Sequence, residues 1–594
     1  MTNPARGLRM NRGRWSSALA GGGRQVLFDV LLLACVVWVT RFWHSPAFGL
    51  YEDDYTKIPW AMSMTWGELW HQIGEYSRTL GDNAKPLHAA LIFLFSYAGN
   101  ILGGLWGAYL LGFSIVAANC VLFYFLLRRI SGRRVAVIGG LAFALFPADI
   151  TQALLTHDFG LQCSLAFLLL ALHAYLGGQR LIAYSVAFLI LITYETPYPV
   201  FLAAPLLLHP WDRRWIRRSL GHALVMAGML VAVFLVRRLV GEGRVFDLEI
   251  VSAIRITIMH MAFGPLATIG MFPYRALQAL LGLDGETATA ILLSFSLLAW
   301  VLSQIGVPPV EGVGLSVSWV KSLDVRSVFI SVSARKAWAT AVATRLEEGR
   351  LWIAGGAMLV LAYPLTYTLS AWESAGRATR VHMAAIVGAS ILFACVVSTL
   401  LQRSRTGRSR GWVRAGAAGI LALLLAFGFV VQKDYVRSWV EQRSFWAQVV
   451  RLCPDVQEGT VVLVDPTGLQ DTTQIGANTW NLPRILDQVY AFPEGWPEPP
   501  RVFRLAPGWQ EAIVTEDGRF RLDATTVSAP PSLYRAVDST SVILLTSASG
   551  QLARGPGPLL IGDDAFGLQA PAAELQRQLA PGPLYALLIE GRGP

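Results

Sequence analysis

Three consecutive carboxylates, Glu52, Asp53 and Asp54, follow closely on the first long apolar run of the chain, roughly Val26 to Trp43. A carboxylate is costly in hydrocarbon, so acids kept at a membrane boundary are candidates for function. Such a group can accept a proton from a hydroxyl or amine as a general base, and paired acids can hold a divalent cation. The alternative is that the triplet only ends the helix in headgroup water, because charge runs are usually solvated.

The composition of the chain places it among membrane proteins. Of its 594 residues, 54% are apolar and only 15% are charged, and the apolar residues come in runs long enough to cross about 30 Å of hydrocarbon. We therefore predict a polytopic α-helical membrane protein. The net charge of +10 comes from basic residues in short loops between apolar runs, which is the positive-inside pattern rather than a nucleic-acid surface. The five cysteines form no C-x-x-C pair, which argues against a metal or disulfide framework.

The elements that must position the acids are membrane helices, and keeping the basic loops cytoplasmic predicts about eleven spans. Pro86 to Asn100 is interpreted as an interfacial or half-inserted helix, and Leu105 to Leu127 as the second span. Val135 to Phe146 is expected to cross outward. The apolar run from Leu181 to His209 breaks at Tyr194-Glu195-Thr196-Pro197, which predicts two half-length helices of the kind that open a cavity.

Four regions follow from this count. They are a basic cytoplasmic N-terminus at 1–24, a transmembrane module at 25–240 with its first external loop at 44–86, a variable transmembrane region at 241–431, and an extracytoplasmic soluble domain at 432–594. In the last region, Gly459–Asp465 and Val542–Leu545 have the pattern of buried strands, so we predict an α/β or β-rich domain. Residues 245–285 are expected outside as interfacial helices, although whether 250–282 is interfacial or spanning stays open.

This topology brings polar groups from distant loops to one side of the membrane. The acids are Asp53, Asp54, Asp158 and Glu195, and the bases are Lys85, Arg237, Arg238, Arg244, Arg377 and Arg380. External loops are normally poor in Lys and Arg, so an anionic group such as a lipid phosphate would explain these arginines. Each residue also has a purely structural interpretation: Asp158 and Glu195 could cap helices, His157 could be a polar interface residue, and the arginines could reach headgroups.

Three stretches of the sequence resemble a known family. They are Asp53-Asp54-Tyr55 after the first span, Asn83-Ala84-Lys85-Pro86-Leu87 at the end of the first loop, and Ser131-Gly132-Arg133-Arg134 through Phe146-Pro147 to Thr156-His157-Asp158. Together they resemble the GT-C superfamily of polytopic glycosyltransferases, in the branch that contains protein O-mannosyltransferases and aminoarabinose lipid A transferases. The resemblance covers roughly residues 25–240, which makes this region the catalytic module.

The resemblance implies roles for individual residues. Asp53 is implied as the catalytic carboxylate and Asp158 as the second acidic site. Lys85 and arginines after the seventh span are implied as contacts to the phosphate of the donor.

The chain also departs from the pattern of that branch. Asp54 stands where the branch more often has Glu, and Leu87 replaces a second Pro. Glu195 stands where relatives often have a Lys before Gly-Pro, which puts donor-phosphate binding at this position in doubt.

The resulting hypothesis is a glycosyltransferase integral to the plasma or inner membrane, with its active site on the extracytoplasmic side. It would transfer a sugar from a polyprenyl-phosphate-linked donor to a glycan, lipid or protein acceptor, with inversion. Asp53 would act as general base, and Asp54 and Asp158 would orient the acceptor, the base or a cation. The candidate substrate-binding residues are Lys85, Glu195, Arg237, Arg238, Arg377, Arg380, Tyr55 and His157.

No cofactor is certain, and a divalent cation, Mg or Mn, held by Asp53, Asp54 and Asp158 stays open. Two other functions remain as alternatives. A transporter or lipid flippase would need charged residues near mid-membrane and two matching halves, and the sequence shows neither. A non-catalytic assembly subunit would use its C-terminal domain to bind a partner.

Overall fold

The structure is a computed structural model. It describes residues 13–79, 85–151, 153–208, 211, 213–240, 250–305, 349–366, 370–404, 406–469, 472, 482–515, 517–529, 531–548, 550–555, 557–570 and 579–591. It confirms the predicted class, a polytopic α-helical membrane protein with a strand-containing C-terminal region. The basic residues before Gly13, the Asn83-Ala84 half of the Lys-Pro stretch, and Arg244 lie outside the described residues.

The described helices are α1 (Gly13–Val37), α2 (Asp54–Ser63), α3 (Trp66–Arg78), α4 (Pro86–Ile130), α5 (Arg133–Ala144), α6 (Cys163–Leu176), α7 (Arg180–Thr193), α8 (Arg213–Val240), α9 (Ile250–Leu281), α10 (Gly285–Gln304), α11 (Gly349–Val360), α12 (Ala385–Arg403), α13 (Gly407–Leu452) and α14 (Leu482–Val489). Short π-helical turns cover Trp38–Phe42 and His157–Gln162, and short 3₁₀ helices cover Tyr198–Leu207 and Gly376–His382.

Within the described part of the chain, eight helices are long and apolar enough to cross a membrane, and three shorter helices are apolar. The total of about eleven crossings therefore stays a prediction. One predicted crossing, Val135 to Phe146, differs in the structure. It is α5, a buried helix of 12 residues, about 18 Å long and so too short to cross the hydrocarbon alone.

Helix α4 is two helices joined by a sharp bend, as the sequence predicted between Asn100 and Leu105. Gly103 has φ 140° and Gly104 has φ 66° with ψ −140°, conformations that residues with a Cβ rarely adopt. The two arms then approach so closely that a Cβ on Gly107 would lie 2.3 Å from the carbonyl oxygen of Gly99. The bend therefore folds the first arm, which begins next to Lys85, back against the start of the second arm.

The expected interfacial helices between 245 and 285 form one continuous helix, α9, of 32 residues. By length and composition it could cross a membrane. However, polar side chains along it, from Thr257 to Arg275, bond to the segment 364–382. Helix α9 therefore supports the segment that carries Arg377 and Arg380.

Helix α13 runs for 46 residues and passes without interruption through the domain boundary predicted at Gln432. Its first half packs among the membrane helices. Its second half carries Tyr435, Trp439 and Gln442 on one buried face, spaced as on a helix side that covers a neighbour. That face packs on the loop that follows the first span, where a Cβ on Gly49 would collide with the Trp439 ring.

The C-terminal region contains a five-stranded sheet with the order β5-β3-β1-β7-β8. The described strands of the region are β1 (Val461–Val464), β2 (Tyr490–Ala491), β3 (Arg501–Leu505), β4 (Phe520–Leu522), β5 (Val527–Ser528), β6 (Arg535–Val537), β7 (Val542–Ala548), β8 (Gln551–Arg554), β9 (Leu559–Ile561), β10 (Asp564–Phe566) and β11 (Ala580–Pro581). The six strands outside the five-stranded sheet form three two-stranded sheets, β9 with β10, β2 with β11, and β4 with β6. Strand β1 pairs in parallel with β3 and β7, and all four of its residues are buried. Both predicted strands are present, and the burial of β1 on both faces explains its uninterrupted apolar sequence.

Candidate functional site

The acidic triplet occupies a tight turn that leads into α2. Glu52 has φ 51°, a left-handed conformation that a residue with a Cβ adopts only when its surroundings hold it there. The turn is closed by a hydrogen bond from the amide of Asp54 to the carbonyl of Tyr51, 2.9 Å long. As a result, the three acids point in different directions and meet different partners.

The Asp54 side chain is fully buried and binds the segment that precedes Asp158. Its Oδ1 accepts hydrogen bonds from the amide and hydroxyl of Thr156, at 2.8 and 2.9 Å. Its Oδ2 accepts longer bonds from the amides of Tyr51 and Leu155. Asp54 therefore joins the first loop to the second acidic segment, and its predicted role in orienting the acceptor, the base or a cation stays a prediction.

Burial raises the pKa of Asp54 to about 7, although the hydrogen bonds from Thr156 and Tyr51 act in the opposite direction. In the unfolded chain this carboxyl would lose its proton near its ordinary value of 3.8. Between these two values the folded state holds the proton that the unfolded state has lost. The stability contributed by Asp54 is thus complete below about pH 4 and is lost as the pH rises through about 7.

We expect the thermal midpoint of the wild-type protein in detergent to fall as the pH rises from 4 to 8, and Asp54→Asn to make that fall shallower. A pKa change of this size lowers the free energy of unfolding by about 2–4 kcal/mol across this pH range. The measurement is a series of thermal melts across this pH range for both proteins. Equal slopes would contradict the assignment of this proton to Asp54.

Asp53 meets the two arginines of the 3₁₀ helix Gly376–His382. Arg377 Nη1 donates to Asp53 Oδ1 at 2.8 Å, and Arg380 Nη1 lies 3.6 Å from Oδ2. The same Arg380 nitrogen lies 3.3 Å from His157 Nε2. Asp53, from the first loop, and His157, beside the second acid, therefore face one guanidinium group, so residues that are 104 positions apart in the chain converge as predicted.

A second cluster, here called the Lys85 cluster, consists of Lys85, Glu195, Arg237 and Tyr194. Glu195 Oε2 lies 3.0 Å from Lys85 Nζ and 3.4 Å from Arg237 Nη2. The Lys85 ammonium group also lies 4.4 Å from the centre of the Tyr194 ring. These residues come from the start of α4, the break after α7, and the end of α8, so each sits where an apolar helix ends or is interrupted.

His88 connects the two groups. It lies one turn after Lys85 on α4, and its ring packs so closely on the backbone near Asp158 that a Cβ on Gly160 would collide with it. The charges of both Glu195 and Arg380 act on this ring. The Lys85 cluster and the Asp53 site are therefore neighbours across one histidine.

Asp158 differs from its predicted placement. Its side chain is completely buried, and neither carboxylate oxygen has a hydrogen-bond partner among the described residues. One oxygen packs where a Cβ on Gly112 would sit 2.5 Å away. The positive charge of Arg41 acts on it, and its complete burial places Asp158 beneath the surface of the site.

Arg41 is a site residue that the sequence interpretation missed. It is buried in the π-helical turn at the end of the first span, and its guanidinium donates to the carbonyl oxygens of Phe146 and Asp149, the first at 2.5 Å. A lone arginine inside an apolar run was the signal that could have found it. π-Helical turns often occur at functional sites, and here they carry both Arg41 and Asp158.

Two other predicted site residues lie elsewhere. Arg238 is exposed on the side of α8 next to buried Arg237, and the structure gives it no ion pair with a described residue. The hydroxyl of Tyr55 donates to Gln442 on α13 at 2.6 Å, and its carbonyl accepts a 2.5 Å bond from Gln488 on α14. Tyr55 therefore fastens α2 to the C-terminal region rather than lining the Asp53 site.

The question of a divalent cation stays open. In the described ranges no group of three or more His, Cys, Asp or Glu side chains has the arrangement of a metal site. The three proposed ligands have different partners: Asp53 pairs with arginines, Asp54 binds the amide and hydroxyl of Thr156, and Asp158 is buried.

Comparison with known proteins gives a limited set of similarities. No protein-family model and no curated protein sequence matches the chain. Two solved structures of ArnT from Cupriavidus metallidurans are similar to it. The apo structure has a TM-score of 0.32 at 17% identity and covers 75% of this chain and 83% of that chain. The structure bound to undecaprenyl phosphate has a TM-score of 0.30 at 17% identity and covers 76% and 83%. ArnT is an aminoarabinose lipid A transferase, one of the two kinds of protein that the sequence motifs resemble.

Proposed function

We propose that the protein is a membrane glycosyltransferase that transfers a sugar from a polyprenyl-phosphate-linked donor to an extracytoplasmic glycan, lipid or protein. The observation that carries this proposal is the environment of Asp53. Its side chain is 30% exposed, and Arg377 fixes only one of its oxygens at hydrogen-bond distance. The other oxygen, 3.6 Å from Arg380, keeps room to accept a proton from an acceptor group.

In the proposed reaction, Asp53 Oδ2 takes the proton from the acceptor hydroxyl or amine. The freed lone pair forms a bond to the anomeric carbon of the sugar from the face opposite the phosphate. The bond between that carbon and the phosphate oxygen breaks, and the electron pair leaves with polyprenyl phosphate. Attack from the opposite face inverts the anomeric configuration.

The leaving phosphate needs positive charge, and the Lys85 cluster is the proposed source. Lys85 and Arg237 are both buried at helix ends, next to apolar surfaces that a polyprenyl chain could follow. A guanidinium group matches the geometry of phosphate oxygens. Arg380 would add to this charge, because it lies between Asp53 and His157 and is held less tightly by Asp53 than Arg377 is.

The location of these groups also favours a lipid-linked substrate. Asp53 follows the first span, Lys85 precedes α4, Glu195 lies in the break after α7, and Arg237 ends α8. Charged groups gathered at the ends of apolar helices can meet a molecule whose tail needs hydrocarbon and whose sugar needs water. A transporter would instead place such groups near the middle of its spans.

Arg237→Ala is expected to raise the KM for the lipid-linked donor about tenfold or more, because a charge-assisted hydrogen bond contributes about 1.5–3 kcal/mol. Arg238→Ala is the matched control, since the neighbouring arginine is exposed, and it should leave KM unchanged. The assay measures release of polyprenyl phosphate from a labelled donor by the purified protein in lipid nanodiscs. An unchanged KM in Arg237→Ala, with wild-type folding, would reject the phosphate role.

A further inference from the structure

The Lys85 cluster already contains an anion. One carboxylate oxygen of Glu195 lies 3.0 Å from the Lys85 ammonium group and 3.4 Å from the Arg237 guanidinium group. The two cations that would hold a donor phosphate therefore share a single protein carboxylate. Any phosphate that binds there must either displace this carboxylate or share the cations with it.

The side chains of the two cations, Lys85 and Arg237, are also more deeply buried than that of Glu195. The side chains of Lys85 and Arg237 are 6% and 10% exposed, whereas that of Glu195 is 23% exposed. Arg237 is anchored from behind by a 3.0 Å bond to the carbonyl of Leu191. An anion that arrives from water therefore meets Glu195 first, and the two cations have little freedom to move toward it.

The Glu195 side chain, in contrast, can rotate about its own bonds while the main chain of Glu195 stays in place. Glu195 lies in the break between α7 and the 3₁₀ helix Tyr198–Leu207, and its carbonyl accepts a 2.9 Å bond from the amide of Tyr198. Because this bond holds the main chain, rotation of the side chain alone can release the two cations.

Glu195 remains charged under ordinary conditions. Burial alone would raise the pKa of Glu195, but the charges of Lys85 and Arg237 outweigh it and lower the value to about 2. The cluster therefore carries one net positive charge near neutral pH. A sugar phosphodiester carries one negative charge, whereas a polyprenyl phosphate monoester carries nearly two.

We propose that Glu195 is an anion of the protein that competes with phosphate for Lys85 and Arg237. A donor phosphodiester displaces the Glu195 carboxylate from these two cations. The charge of Glu195 also weakens the binding of the more highly charged product, polyprenyl phosphate. This inference rests on the proposed function, because it assumes that the donor phosphate binds at these two cations. Glu195 is then a residue that determines specificity by charge, and it favours release of polyprenyl phosphate after transfer.

The test measures direct binding of two probes to the full-length protein in lipid nanodiscs at pH 8. One probe is a polyprenyl phosphate, and the other is its methyl ester, which carries a single charge. Glu195→Gln is expected to tighten binding of the polyprenyl phosphate about tenfold and that of the methyl ester by a smaller factor, since removing a nearby like charge favours the dianion more. Glu195→Asp keeps the charge and should bind both probes about as weakly as wild type.

Two further variants separate the possible failures. Glu286→Gln removes a carboxylate that also lies between two basic groups, Lys433 and His44, and it should leave both affinities unchanged. Lys85→Gln should weaken binding of both probes. If Lys85→Gln weakens binding but Glu195→Gln fails to tighten it, or Glu195→Asp binds as tightly as Glu195→Gln, then Glu195 does not compete and the inference is overturned. If neither Lys85→Gln nor Glu195→Gln changes binding, the phosphate does not bind here and the proposed function loses its donor site as well.

Discussion

Asp53→Asn is expected to lower kcat for sugar transfer about 10²- to 10⁴-fold, which is the contribution typical of a positioned general base. Among the three consecutive acids, Asp53 is the exposed one: its side chain is 30% exposed, that of Glu52 10%, and that of Asp54 is fully buried. Asparagine keeps the size of the side chain and an oxygen for Arg377 but cannot take up a proton. The loss should therefore appear in kcat, with little change in the KM of the donor.

The measurement is turnover of a labelled donor by purified wild type and variant, with thermal midpoints recorded in parallel. Glu75→Gln is the matched control, because Glu75 forms an exposed pair with Arg78 on helix α3 of the same loop and exposed pairs contribute little to stability. Full transfer activity in Asp53→Asn would show that Asp53 is not the general base. A large drop in the thermal midpoint of Asp53→Asn would instead indicate a structural role.

The sequence predicted the convergence of the two acidic segments but not the means by which they converge. The first loop and the second acidic segment meet because Asp54 bonds to the backbone amides before Asp158. Adjacent acids in a sequence look equivalent, and the left-handed turn at Glu52 is what gives them different partners. Such a turn depends on tertiary contacts, so neither residue type nor spacing could have indicated which acid is buried.

The bounds of the membrane helices were predictable where the apolar pattern determines them, and less predictable where polar contacts determine them. The bend in α4 was predictable from the length of the apolar run, and the structure places it at Gly103-Gly104. The continuation of α13 past Gln432 was not, because the apolar pattern ends there while the helix goes on. Its later turns are held by contacts with the first loop, such as the bond from the Tyr51 hydroxyl to the Tyr435 carbonyl.

The partners of buried charged residues were also not predictable from the sequence. Asp29 lies near the start of the first apolar run, and in the structure it binds Arg133 through both oxygens, at 2.7 and 2.9 Å. Arg41, in the same run, is balanced by backbone carbonyls and by Asp149. Each was a visible exception to the apolar pattern, but the hydrogen-bond partners of each lie 95 or more positions away in the sequence. The sequence can therefore show that such a charge needs a partner without showing which one it has.

Arg377→Ala is expected to lower kcat/KM for the donor about 10²-fold or more, a loss comparable to removing one fixed charge-stabilising donor from an active site. The guanidinium group of Arg377 contacts two adjacent acids, through Nε to Glu52 at 3.3 Å and through Nη1 to Asp53 at 2.8 Å. Without it, the two carboxylates repel each other and Asp53 Oδ1 is no longer fixed. Arg377→Lys should recover only part of the activity, because a single ammonium group cannot contact both acids as the planar guanidinium does.

A second measurement on this variant separates the loss of a charge from a general loss of structure. Burial raises the pKa of Glu52 to about 7, and Arg377 is the largest influence in the opposite direction. Removing Arg377 lets the pKa of Glu52 rise further, so the fall of the thermal midpoint with increasing pH should extend to higher pH than in wild type. Arg78→Ala, which breaks the exposed pair with Glu75, should change neither the pH profile nor the activity. A wild-type kcat/KM in Arg377→Ala would show that Arg377 is not needed to position Asp53. An unchanged pH profile of the thermal midpoint would show that Arg377 does not lower the pKa of Glu52.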